Sequence, residues 1–166
     1  MIFKHFSDLR ALRLAAFNRI QAQSAKFFFE EIPQRASAAE RLELFVQKHT
    51  RRLEYVTPIH RTAAMVERVD PDVAEAMRQA RNAALRDLAK TLGPALVPFS
   101  RGEKRELLTA LHMVCSWPSW ETLRDHYRLS PRRARAIVTR VAMAILAQAQ
   151  RRAKAPGAVP AERSRP

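Results

Sequence analysis

The sequence predicts an all-α fold, and three observations carry that prediction. Apolar residues recur three and four positions apart over most of the chain, which is the period of one side of a helix. Glycine is scarce, with 3 in 166 residues, while alanine, leucine and arginine abound, a composition that favours helix throughout. The seven prolines ahead of the C-terminal tail (Pro33, Pro58, Pro71, Pro94, Pro98, Pro118 and Pro131) all fall between periodic runs and never inside one. Neither strand-like alternation nor an internal repeat is present. A chain of this length makes one domain, or one domain and a fragment, and buries roughly two thirds of its unfolded surface. An apolar fraction of 47% excludes wholesale disorder.

About seven helices are expected. The first starts at Ser7, a cap followed by Asp8 in the first turn, and carries Leu9, Leu12, Ala16, Ile20 and Phe27 before Pro33 stops the chain. Ser37 and Glu40 form a capping box for a second helix, with Leu42, Phe45, Val46, His49, Leu53 and Val56 on one side. Thr57-Pro58 reads as a restart, a short helix with Ala63, Val66 and Val69. Asp70-Pro71 opens the next, a cap and a first-turn proline ahead of Val73, Met77, Ala80, Ala84 and Leu88. Gly93-Pro94 reads as its end, a left-handed residue and a breaker. Ser100 and Glu103 make a second capping box, ahead of Leu107, Leu108, Leu111, Val114 and Cys115.

The stretch Ser116 to Gln150 reads as a short helix, a sharp turn at Leu129-Ser130-Pro131 and a long helix. In the long helix Ala134, Ile137, Val138, Val141, Ala142, Ile145, Leu146 and Ala149 recur at three and four, and every residue from Val141 to Ala147 is apolar. A helix that apolar around its circumference needs cover from several directions, which points to a second chain. After Arg152 the sequence APGAVPAERSRP reads as a disordered basic tail.

The formal charge is +14, and the segment Arg124 to Lys154 holds nine Arg or Lys residues against the single acid Asp125. Such a field attracts phosphate, although a solvated arginine-rich surface carries the same charge. The one cysteine, Cys115, excludes an internal disulfide framework and fits a reducing cytoplasm. No apolar run reaches the length of a membrane span and no signal peptide stands at Met1. A Gly-rich phosphate loop, Gly-x-Ser-x-Gly, His-Glu-x-x-His and paired acids on an apolar helix side are all missing, so neither an enzyme nor a cofactor is expected. His112 and Cys115 lie three apart, but His49, His60 and His126 supply no second pair of matching spacing, so no metal site is expected. Trp120, Leu123 and Tyr127 have the spacing of ordinary core packing.

Two segments bear a resemblance to a known family. MIFKHFSDLRAL, at Met1 to Leu12, resembles the end of the recognition helix and the start of the next helix in TetR/AcrR-type transcriptional regulators, with Ile2, Phe3, His5, Phe6, Asp8 and Leu12 matching. The segment Ser116 to Ala134 resembles that family's Trp-x-x-Leu-Arg-x-x-x-Gly-Leu-Ser lead into the last long helix, with Trp120, Leu123, Arg124, Leu129, Ser130 and Ala134 matching. Arg128 stands where the family usually has glycine, and Leu9 where it often has lysine. The resemblance spans nearly the whole chain up to the tail. It implies that most of the family's helix-turn-helix, about 40 to 50 residues, is missing ahead of Met1, a start-codon misplacement being the simplest cause.

What the resemblance implies is the effector-binding and dimerisation portion of a TetR-like repressor. Residues 1–31 would be a remnant of the recognition helix plus a connecting helix, residues 32–152 the effector-binding and dimerisation domain, and residues 153–166 the tail. The DNA-contacting remnant would be Phe3, Lys4, His5, Ser7 and Arg10, with operator binding lost in this chain and double-stranded DNA a partner of the full-length form. An unidentified small-molecule effector would lie among Phe45, His49, Met77, His112, Trp117 and Trp120. A homodimer would form through the last two long helices at Leu108, Leu111, Ile137, Val141 and Ile145. Two alternatives stand beside this. One is a non-specific nucleic-acid binder using Arg132, Arg133, Arg135 and Arg140, and the other a fragment that forms mixed dimers with a full-length relative.

Overall fold

A computed structural model describes residues 9–28, 32–33 and 35–154; the expected remnant residues Phe3, Lys4, His5 and Ser7 and the tail after 154 lie outside them. The described chain is all-helical and contains no strand. The helices are α1 (Leu9–Ser24), α2 (Ala38–Val66), α3 (Pro71–Leu92), α4 (Arg101–Val114), the short α5 (Trp117–Glu121) and α6 (Pro131–Lys154). Five of these are 14 residues or longer, fewer than the seven or so expected.

One of the two missing is the short α5, and the other is lost at Pro58. That proline does not restart the chain: α2 runs through it for 29 residues. A mid-helix proline costs about 3 kcal/mol and leaves one carbonyl four residues back without its donor. Burial on both sides of Pro58 outweighs that. Leu42, Phe45, Val46 and Leu53 enter the main core, Val56 is fully buried, and Ala63 enters a second cluster with Phe17, Val73, Met77 and Ala80. Helical stability in a folded chain comes mainly from such packing.

The caps fall as the sequence indicates. Ser37 accepts from the Glu40 amide and Glu40 accepts in return from the Ser37 amide at 2.7 Å, and Ser100 and Glu103 repeat the arrangement. Asp70 accepts from the amides of Asp72 and Val73 at the start of α3. Gly93 caps the end of α3 as expected, but not with the expected left-handed backbone. Its backbone is right-handed (φ −39°), and the chain continues through a 3-10 turn, Gly93–Leu96, that buries Leu96 and then Phe99.

Helix α2 is the centre of the molecule and touches α1, α3, α5 and α6; α4 packs on α3 and α6. The main core joins α2, the end of α3, α4, Trp120 and α6. Helix α1 turns a different side inward from the one expected. Leu9 is exposed, and Phe17 and Ser24 are buried, with Gln21 half-buried between them. Tyr127, expected in the core, is exposed.

The turn into α6 is held by a polar clip. Glu54 of α2 accepts from the Trp120 indole at 2.7 Å and from Arg124 Nε at 2.7 Å, while Arg124 also donates to the Leu129 carbonyl. A single π turn, Thr122–His126, follows α5, and Arg128 then adopts a left-handed backbone (φ 53°). Helix α6 buries Ala134, Val138, Ala142 and Leu146, four apart, so the chain covers one stripe of its apolar run. Ile137 and Val141 remain about 40% exposed (37% and 41%).

Candidate functional site

A cavity of about 230 Å³ lies among α2, α3, α4 and α5. Small-molecule sites usually occupy roughly 300–1,000 Å³, so this one suits a small ligand. Its long wall is α2, which contributes His49, Arg52, Leu53, His60, Ala64 and Glu67. Met77, Ala80, Arg81 and Ala84 of α3 face them, and His112, Ser116, Trp117 and Pro118 complete the lining. The inner end, at His49, Arg52, Leu53 and Ala84, is buried; Ala64, Arg81 and Pro118 are exposed and mark the mouth.

The periodicity of the helices creates this lining. His49, Leu53 and His60 fall on one side of α2, and Met77, Ala80 and Ala84 on one side of α3. Alanine at 80 and 84 leaves room where a larger side chain would close the gap between the two helices. A larger hollow of about 490 Å³ beside Pro33, Arg35, Glu40 and Glu43 is a surface groove among exposed residues and brings no buried polar group with it.

The polar groups of the cavity are fixed by named bonds. His49 Nε2 lies 3.0 Å from the Cys115 carbonyl, which can only accept, so Nε2 carries the proton and Nδ1 is a bare acceptor. Burial, with Arg52 adding to it, pulls the His49 pKa down to about 3, so the ring stays neutral. Arg52 Nη2 donates to Gln21 Oε1 at 2.9 Å, which orients that amide so that its nitrogen meets His60 Nε2 at 2.7 Å. His60 Nε2 therefore accepts, and the proton sits on Nδ1. Burial and the nearby Arg52 pull the His60 pKa down to about 4. Its ring stacks on Phe17 at 5.7 Å and meets the Trp117 edge at 5.5 Å.

His112 is also lowered, again chiefly by burial. Arg81 pairs with Glu67 at 2.8 Å beside the mouth. Trp117 donates to Thr57 Oγ1 at 3.2 Å, next to Pro58. Cys115 is buried and its thiol is pushed up to about 12 by desolvation, so it offers no nucleophile at neutral pH.

Of the six pocket residues expected from the sequence, His49, Met77, His112 and Trp117 line the cavity. Phe45 and Trp120 do not. Both are fully buried in the main core, Phe45 stacked on the far side of His49 at 5.0 Å and Trp120 held by Glu54. Arg52, His60 and Arg81 were not expected there. Reading α2 as one helix through Pro58 would have shown His60 three turns from His49 on the same side.

Arg10, expected on phosphate, instead meets carboxylates at the start of α3: Asp70 at 3.2 Å and Asp72 at 2.6 Å. Leu111, expected at a dimer interface, is 0% exposed and belongs to the chain's own core. Leu108 and Ile145 are half-buried at the edge of that core, leaving Ile137 and Val141 as the exposed members of the set. Among the described residues no group of three or more His, Cys, Asp or Glu is placed to hold a metal ion, and no helix is long and apolar enough to cross a membrane. Comparison with protein-family models, curated proteins and solved structures finds no match to this chain.

Proposed function

We propose that the chain is the ligand-sensing and pairing domain of a TetR-like transcriptional regulator. The observation that carries this reading is the cavity of about 230 Å³ inside the helical body, coupled by hydrogen bonds to α1. A ligand against His60 acts on a side chain that holds Gln21, and α1 is the element nearest the segment that resembles the family's DNA-reading head. Arg10 ties the start of α1 to α3, the opposite wall of the cavity. Ligand binding that prefers one placement of α1 would thus be passed to a DNA-reading head.

Two further features support it. The family's motif before the last long helix has glycine where this chain has Arg128, and Arg128 holds the left-handed backbone that glycine adopts at least cost. The motif's Trp120 and Arg124 converge on Glu54, which gives both residues a reason to occur at that spacing. Ile137 and Val141 on α6 supply an exposed apolar strip for a second copy.

Sedimentation at tens of micromolar, together with thermal unfolding in a panel of small apolar compounds, tests the reading. A dimer that Val141→Glu converts to monomer, and a compound that raises the melting temperature of the wild type but not of Ala84→Trp, are expected. A monomer throughout, with no compound acting at the cavity, would overturn it. Exposed Arg132, Arg133 and Arg140 keep a non-specific nucleic-acid contact as the second reading; Arg135 contributes less, because its Nε donates to Thr50 at 2.9 Å.

A further inference from the structure

Two buried nitrogens in the cavity wall have no hydrogen-bond partner among the described residues: His49 Nδ1 and His60 Nδ1. They belong to residues only 3% and 5% exposed. Buried polar atoms are paired in the great majority of cases, so an unpaired one needs an explanation. Here the pairing of the other ring nitrogen decides what each can do. Nε2 of His49 is spent on the Cys115 carbonyl, which leaves Nδ1 a lone-pair acceptor. Nε2 of His60 is spent accepting from Gln21, which leaves Nδ1–H a donor.

The two are opposite in kind and separated in space. Eleven residues of continuous helix make about three turns, so both lie on one side of α2, roughly 16 Å apart along its axis. Between them α2 presents Leu53 and Arg52, whose guanidinium is already engaged by Gln21 and Ser24 of α1, and Met77, Ala80 and Ala84 face them from α3. His49 sits at the buried end and His60 toward the mouth. Both rings are neutral near pH 7, so neither demands a charged partner. At the mouth, Arg81 has Glu67 beside it at 2.8 Å.

We propose that the cavity recognises an uncharged, elongated, mainly apolar molecule that carries a hydrogen-bond donor, such as a hydroxyl, at its inner end for His49 and an acceptor, such as a carbonyl oxygen, at its outer end for His60. This rests on the proposed sensing role of the cavity and specifies the chemistry of its ligand. The molecule enters hydroxyl first. Its middle contacts Leu53, Met77, Ala80 and Ala84, and its length is set by the separation of the two histidines.

The test uses methyl ω-hydroxyalkanoates of increasing chain length, titrated into the intact chain by calorimetry. Affinity is expected to peak at one intermediate length. At that length the methyl alkanoate lacking the hydroxyl, and the primary alkanol lacking the ester, should each bind roughly 3- to 10-fold more weakly. In His49→Phe the hydroxyl should no longer matter while the carbonyl still does, and in His60→Phe the reverse. Circular dichroism checks that each variant keeps its helices, and the wild-type comparison stands without them. Equal binding of all three compounds, or tighter binding of the corresponding ω-hydroxy carboxylate than of its methyl ester, would overturn the assignment while leaving a ligand cavity in place. Failure of every compound to bind would overturn both the assignment and the sensing role.

Discussion

Acid should destabilise this protein through its buried cavity histidines, His49 and His60 above all. In the unfolded chain each has the ordinary pKa of about 6.5, while in the fold His49 is held near 3 and His60 near 4 by burial. The unfolded state therefore binds more protons throughout the interval between those values. Stability must rise with pH there, and fall as pH drops below about 6.5. At pH 5, about 1.5 units below the unfolded value, each histidine removes about 2 kcal/mol at roughly 1.4 kcal/mol per unit. The pair together removes about 4 kcal/mol between pH 7.5 and 5, a large part of the 5–15 kcal/mol that holds an ordinary domain together. The loss continues to about pH 4 for His60 and about pH 3 for His49. Urea titrations followed by fluorescence of Trp117 and Trp120 measure it. His49→Gln and His60→Gln should each remove a comparable share of the slope between about pH 7.5 and 5, whatever their stability at neutral pH, and His112, which burial also lowers, carries part of the remainder. Unchanged wild-type stability across that interval, or a slope indifferent to both substitutions, would refute the reasoning.

Other outcomes follow from single positions. Arg128→Gly should stabilise by about 1 kcal/mol in thermal unfolding, because a non-glycine residue in a left-handed backbone carries a strain that its exposed contact with Asp125 at 3.5 Å does little to offset. Gly93→Ala should be neutral or stabilising by about 0.5–1 kcal/mol, since the backbone is right-handed and an added Cβ meets nothing within 4 Å; a left-handed glycine would give the opposite sign. Lys48→Ala should cost about 1–3 kcal/mol in urea titrations, because it takes the hydrogen-bonding partner at 2.9 Å from Asp87, a carboxylate whose pKa burial already raises, and leaves it only the more distant charges of Arg52 and Lys90. Cys115 should react with a thiol reagent at neutral pH only at the rate at which the protein opens, and fast labelling of the native state would contradict its burial.

The helices were most legible where chemistry is local or strongly periodic. The capping boxes at Ser37 and Ser100 and the Asp70-Pro71 start need only a few neighbouring residues, and the Val73, Met77, Ala80, Ala84, Leu88 stripe of α3 has a single consistent inward side. Pro58 is a breaker by its own conformational preference and is overruled by the burial on both sides of it, whereas Gly93 does end α3 and differs from expectation only in its right-handed backbone. The consequence for the site was direct. Ending α2 at Pro58 separated His49 from His60 and hid the stripe that runs between them. Helix α1 was misphased because its inward side is partly polar, and the hydrogen bonds of Gln21 and Ser24 to Arg52 are invisible to a pattern of apolar residues. Phe45 and Trp120 show the converse limit. An aromatic on the right side of the right helix fills either a core or a cavity wall, and only the three-dimensional packing decides which.

The most direct measurement is the melting temperature of the wild type and of Ala84→Trp, each with and without the methyl ω-hydroxyalkanoate of best length. Ala84 lies 5% exposed at the inner end of the cavity, where an indole would occupy the space the proposed ligand takes. The compound should raise the wild-type melting temperature by an amount that grows with its concentration and should leave the filled variant unmoved. An equal rise in both proteins, or none in either, would contradict a ligand site between α2 and α3.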